Sequence, residues 1–155
     1  MKPPAAHGFT YLGLMVVLAL MALTAAAAAT LWSVAERRER ESELLFVGRA
    51  YRSALQRYLA ASPHGPNDPP PAYPATLEPL LRDPRFVVPV RHLRQLYPDP
   101  LTGQPRWALV RDVRGGIVGI HSLSGAVPIK RAGFGPGEDL GGAKTYRDWV
   151  FSVQP

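Results

Sequence analysis

The histidines, two serines close to a glycine, and a closely spaced row of arginines are the residues of this 155-residue chain that invite a chemical reading. His7 precedes an apolar stretch, His64 sits among prolines, His92 lies between basic residues, and His121 falls in a predicted strand; no two stand at a metal-ligand spacing. Ser122 and Ser124 lie near Gly125 without forming the G-x-S-x-G elbow that presents a hydrolytic serine. Residues 115–119 lack both the phosphate-loop lysine and the dinucleotide-binding glycine pattern, so they read as a hairpin. With no cysteine there is no disulfide, thiolate zinc site, iron–sulfur cluster or thiol nucleophile. The expectation is a protein that is not an enzyme. Lys and Arg total 18 against 12 Asp and Glu, a formal charge of +6, and Arg82, Arg85, Arg91 and Arg94 come at short intervals. Exposed together, they would attract DNA or another polyanion with steep salt dependence; scattered, they are solvated or partner nearby carboxylates.

The elements that carry these residues divide sharply. Of 17 prolines, Pro3 and Pro4 precede Ala5 and all the others follow Ser62. Residues 9–32 contain no formal charge, and a helix of that length rises enough to cross a hydrocarbon core of about 30 Å. The residues preceding it, MKPPAAHG, form a short basic start. The same features describe a secretory signal cut near Thr30, after the small residues Ala27 to Ala29. Positive charge leaves the topology open, because Lys2 on one side competes with Arg37, Arg38 and Arg40 on the other.

Residues 33–62 continue without proline and mix charge with apolar residues at helical steps. Leu44, Gly48, Tyr51, Leu55 and Tyr58, flanked by Val47, Ala54 and Leu59, form one stripe that needs a partner. Glu36 to Arg40 is a favourable four-residue spacing and Glu39 to Glu43 an unfavourable one. The charges read either as a solvated face or as a means of setting register between neighbouring copies. A helix over residues 9–61 would be about 80 Å long, which suits a stalk packed beside copies of itself.

Prolines from residue 63 onward stop that helix. A short helix is predicted next, with Thr76 as N-cap, Glu78 in its first turn, Leu77, Leu80 and Leu81 facing inward, and Pro84 at its end. Residues 106–112, 117–122 and 126–130 are predicted to form a three-stranded antiparallel meander, with a tight turn at Arg114, Gly115 and Gly116. The C-terminal residues form a closing strand or docking segment anchored by Tyr146, Trp149 and Phe151. So small a sheet needs the helix stripe over one face.

The junction at Gly8, Phe9, Thr10 and Leu12, an aromatic residue and an apolar run directly after a short leader, resembles the type IV pilin and pseudopilin family. Leu96, Tyr97, the turn of Asp99, Pro100, Gly103 and Pro105, then Ile120, His121, Ser122 and Leu123, and finally Asp148 and Trp149 are similar to the major-type pseudopilin of the type II secretion system. The likeness covers nearly the whole chain.

That resemblance implies an α+β pilin-like fold, with a long N-terminal helix on a small antiparallel sheet of about three strands. It divides the chain into a leader (1–8), a transmembrane half of the helix (9–32), an amphipathic half (33–62) and a periplasmic globular domain (63–155). It further implies cleavage between Gly8 and Phe9 by the prepilin peptidase, methylation of Phe9, and an assembly helix beginning Phe9, Leu12, Gly13. The implied partners are other pseudopilins and the inner-membrane secretion platform, in a filament anchored at the bacterial inner membrane. Gly13 stands where the family usually carries a glutamate as fifth mature residue; without that acid, pairing with a neighbour's N-terminal amine cannot form, as in minor subunits at a filament tip. Major-type members commonly hold calcium in a C-terminal loop, and Glu138, Asp139 and Asp148 are the acids this chain offers there, without EF-hand spacing. The alternatives are a minor pilin or pseudopilin of a type IV pilus or DNA-uptake machine, and a periplasmic binding module released from a cleaved secretory signal.

Overall fold

The computed structural model describes residues 8–62, 70–135, 138 and 140–153, and of residues 8–10 and 29–31 the backbone only. The chain forms two compact units, Met1–Arg37 and Arg38–Pro155, and helix α1, Gly8–Ala60, contributes to both. In the first unit the helix is free of charged side chains as far as Trp32. An 18-residue window reaches a mean hydropathy of 2.4 with none of it buried, long and apolar enough to cross a membrane. The Thr24 hydroxyl donates back to the Met21 carbonyl at 2.9 Å, which satisfies the one polar side chain of that stretch within the helix.

In the second unit the stripe behaves as its spacing dictates. Leu44, Val47, Tyr51, Ala54, Leu55 and Tyr58 are buried on one face of α1, and Leu59 is half-buried. They meet a three-stranded antiparallel sheet in the order β1 (Ala108–Arg111), β2 (Ile117–His121), β3 (Phe151–Ser152). Leu109 pairs with Ile120 and Val110 with Gly119, then the register slips so that Arg111 faces Ile117, a bulge at Val118. On the other side of β2, Ile120 pairs with Phe151 and Gly119 with Ser152. Tyr51 meets Tyr97 and Trp107 edge-on, and Trp149 does the same with Phe134 and Tyr146. The buried Trp149 indole N–H has no hydrogen-bond acceptor among the described residues.

Two local expectations are corrected and one is shifted. Residues 126–130 are not the third strand: Pro128 removes a ladder donor, and the Ile129 and Lys130 amides instead donate to the Glu41 carboxylate at 3.0 Å each. The third strand comes from the C-terminal segment. The hairpin turn expected at residues 114–116 is there but begins earlier, at Asp112: the Asp112 amide donates to the Gly116 carbonyl and the Gly115 amide to the Asp112 carbonyl, Asp112 Oδ1 accepts from the Arg114 and Gly116 amides, and Gly115 takes φ +84°. Thr76 is not an N-cap: the element is a single 3₁₀ turn, Glu78–Leu80, with Leu77 at the cap position and no side-chain cap bond. Pro79 stands in that turn, and Pro84 follows too closely for a longer helix. Thr76 hydrogen-bonds the Glu78 carboxylate instead. Leu80 is buried and Leu77 and Leu81 pack partly against the core, so the inward residues are those the pattern named.

α1 comes close to β3 at Gly48, where an added methyl would overlap the Phe151 ring. Gly48→Ala should therefore destabilise the second unit by about 1–3 kcal/mol despite the better helix propensity of alanine. Urea unfolding of the detergent-solubilised chain reads this directly, and a variant as stable as wild type would show that the ring yields.

Candidate functional site

The first site residues lie at the start of α1. Gly8 and Phe9 fall in its first turn, as backbone. Leu12 is 63% exposed, a Cβ on Gly13 would meet nothing within 4 Å, and Leu14 to Leu23 present their apolar side chains outward. Such a surface can sit in hydrocarbon or against a like helix, and it offers no group for chemistry.

The acids suggested for calcium are held separately. Glu138 is fixed by Arg49, with Nε to Oε1 at 2.7 Å and Nη2 to Oε2 at 2.8 Å, while Arg52 stands 3.7 Å away and the Gly135 amide donates to Oε2 at 2.9 Å. The Arg49 bond, above all, holds the Glu138 carboxyl at about 2, with the Gly135 amide assisting against burial. Asp148 Oδ2 accepts from the Thr145 and Lys144 amides and the Thr145 hydroxyl, closing the 3₁₀ turn Tyr146–Asp148. Those amide bonds, led by Thr145, hold its carboxyl below the ordinary range. Asp139 lies outside the described residues. Among the described residues no group of three His, Cys, Asp or Glu side chains converges as a metal site. Glu138 and Asp148 act as clamps on the C-terminal segment.

Three buried acids, Glu41, Asp83 and Asp99, tie the loops of the second unit together. Glu41, 3% exposed, takes the Ile129 and Lys130 amides and the Tyr146 hydroxyl at 3.3 Å. Asp99 caps its own turn through the Leu101 amide at 2.9 Å and accepts the Ser122 hydroxyl at 2.7 Å. Ser122 is thus tied to a carboxylate, and His121 Nδ1 contacts the Ser122 carbonyl rather than its hydroxyl. Asp83 is gripped by Arg85 through Nε and Nη2, and His92 Nε2 lies 3.0 Å from its Oδ2. Burial pushes the Asp83 carboxyl up, but the bonds from Arg85 and His92 outweigh it and hold the group at about 2. His7 and His64 lie outside the described residues.

Arg85 accordingly leaves the predicted cationic row: its guanidinium lies 3.6 Å over the Tyr58 ring and also bonds Ser62 and the Tyr58 carbonyl. Arg82, Arg91 and Arg94 stay exposed. Arg91 and Arg94 join Arg57 of α1 around an open hollow of about 580 Å³. Sequence reasoning had no means of pairing Arg57 with them, since 34 residues separate Arg57 from Arg91.

Because Glu138 and Asp83 bind protons less readily when folded than when unfolded, the stability they supply is complete above about pH 5 and is lost as pH falls through about 4 toward 2. Unfolding midpoints measured between neutral and acid pH should drop over that window, and Glu138→Gln should remove part of the slope. A pH-independent midpoint would contradict both assignments. Comparison with protein-family models, with curated proteins and with solved structures gives no match for this chain.

Proposed function

We propose that this chain is a pseudopilin subunit of a type II secretion system. The observation that carries the reading is α1 itself: one helix, Gly8–Ala60, opens on an uncharged apolar stretch, and its later turns pack against a small sheet. In this reading the prepilin peptidase cuts between Gly8 and Phe9 and Phe9 is methylated. The apolar half then holds the protein in the bacterial inner membrane as a single pass, with the second unit in the periplasm. A cytoplasmic motor and the inner-membrane platform draw subunits from lipid into a short fibre, where the helices pack laterally and growth pushes folded proteins outward. The work is mechanical, with no catalytic group. Gly13 in place of the usual acid favours a minor subunit over the abundant one.

Intact-mass and N-terminal peptide spectrometry of the protein from membranes tests this: a chain beginning at Phe9 and heavier by one methyl group is expected. A chain beginning near Thr30 would overturn it in favour of a secreted binding module.

A second reading, a subunit of a DNA-uptake filament, is favoured by the hollow of Arg57, Arg91 and Arg94. It requires DNA binding that weakens steeply as salt rises and is lost in Arg91→Gln, Arg94→Gln. Absence of binding at low salt removes that reading.

A further inference from the structure

Arg57, Arg91 and Arg94 gather around one open hollow of about 580 Å³ whose remaining lining is His92 and Leu93, so no acidic side chain faces it. Other arginines of the second unit have carboxylates: Arg49 and Arg52 take Glu138, and Arg85 takes Asp83. These three have none, for no ion pair reaches them among the described residues. The acid bonded to a lining residue is Asp83, which the His92 ring contacts; it is buried and already held by Arg85. Like charges around one hollow repel one another, and an anion placed between them removes that repulsion.

The backbone and side chains that carry these cations are fixed by the fold. The 91–94 segment is pinned where the His92 and Leu93 amides both donate to the Leu80 carbonyl, at 2.9 and 2.8 Å. His92 and Leu93 are buried, while Arg91 and Arg94 on either side of them are exposed. Arg57, in the last turn of α1, donates through Nη1 to the Ser53 hydroxyl at 2.7 Å and through Nη2 to the His92 carbonyl at 2.6 Å. The second of these bonds ties the helix to the segment. A guanidinium carries five N–H donors, so three on Arg57 are left by these bonds for a ligand. Its orientation is already set, and an anion that binds there orders little at that side chain.

Charge count decides which anion the hollow suits. Guanidinium forks match the paired oxygens of a carboxylate or a phosphate, but a lone carboxylate offers one negative charge to three cations. The phosphates of a nucleic-acid strand carry one charge each and lie strung along a backbone, which a row of cations follows better than a single hollow does. A phosphate monoester concentrates close to two charges and three acceptor oxygens on one centre at neutral pH. We propose that the hollow between Arg57, Arg91 and Arg94 is a binding site for a phosphate monoester, its terminal oxygens taken by the three guanidiniums. The hollow is open, so the group that carries the phosphate extends toward solvent, and a small solute or a lipid headgroup presents the same chemistry. The site does not rest on the assembly reading given above, because the fold of the second unit alone places its residues.

Isothermal titration of the full-length chain in detergent, at low ionic strength, tests the site with glycerol phosphate as the soluble probe and micelles doped with phosphatidate as the lipid one. Saturable binding of glycerol phosphate supports the site with a soluble ligand; saturation by phosphatidate alone supports it with a lipid headgroup. In Arg91→Gln, Arg94→Gln, altered at two exposed side chains, binding should weaken about tenfold with an unchanged melting temperature. The double variant Arg106→Gln, Arg114→Gln removes the same charge from exposed positions outside the hollow and should bind as wild type does. The second charge of the monoester titrates at about pH 6, so its affinity should fall about tenfold from about pH 8 to about pH 5, while that of sulfate, doubly charged throughout, should not. Apart from the arginines, His92 is the one titratable side chain of the hollow; it is buried against Asp83, and protonating it would strengthen anion binding in acid, the opposite sign. No saturable binding of either probe would overturn the proposal, as would equal losses in the two double variants or a parallel fall for sulfate. A DNA duplex that displaces glycerol phosphate at equal phosphate concentration would overturn it in favour of nucleic acid.

Discussion

The face of α1 between Glu41 and Tyr58 is the surface on which everything in the second unit depends. Strands of four, five and two residues cannot hold a sheet by their ladders alone, and isolated hairpins are marginal in water. What fixes β2 and β3 is that Ile117, Ile120 and Phe151 all join the cluster built on Leu44, Val47, Tyr51 and Leu55, and β1 is held by its ladder to β2. Gly48 sets how closely helix and sheet approach, because only hydrogen leaves room for the Phe151 ring. The two-residue β3 can be so short because the contacts made by Tyr146, Trp149 and Phe151 come from their rings, not from the strand.

Around that apolar face the loops are held by buried carboxylates. Each of Glu41, Asp83 and Asp99 would be costly alone in the interior, and each is offset by several charge-assisted bonds, to amides in the case of Glu41 and to a guanidinium for Asp83. Such an acceptor can collect amides from chain with no regular structure of its own. This explains how residues 126–131, which contain Pro128 and form no strand, are nonetheless tied to a helix 88 residues earlier through Glu41. The same device recurs with Glu138 on Arg49 and with Asp112 and Asp148 in their own turns. Most of the acids of the second unit therefore have structural work, which accounts for the excess of arginine left on its surface.

Features governed by periodicity were legible from the sequence: the extent of α1, the stripe of Leu44, Tyr51, Leu55 and Tyr58, the existence of β1 and β2, and the docking role of Tyr146, Trp149 and Phe151. Features decided by a distant partner were not. Glu41 had a signal that composition concealed, since it lies in phase with the stripe, three residues before Leu44 and seven before Gly48; an acid in that phase is buried or breaks the stripe. The strand expected over residues 126–130 failed for this same reason, because its amides were claimed by that carboxylate. Glu138 and Asp148 drew a calcium reading from their proximity in sequence, yet Arg49 and the 144–145 amides take their oxygens separately. Pairings such as Arg85 with Tyr58, or Arg57 with Arg91, span too many residues for any local pattern to reveal.

Under the proposed assembly, the apolar half of α1 supplies adhesion but little discrimination. Lipid tails and a neighbouring helix are almost equally apolar, so moving Leu12 to Leu23 from bilayer to filament changes their hydration hardly at all, and only close packing or a buried polar pair can bias the exchange. Gly13 removes the polar pair and leaves open space for close approach. Selection among partners must then be made by groups that meet water in one state and protein in the other. In this chain those groups lie beyond the apolar stretch: the charged turns of α1 after Trp32, the exposed Arg82, Arg91 and Arg94, and the exposed Val87 and Val88. Under that assembly the subunit is held in the membrane by the first half of α1 and recognised by the residues that follow it.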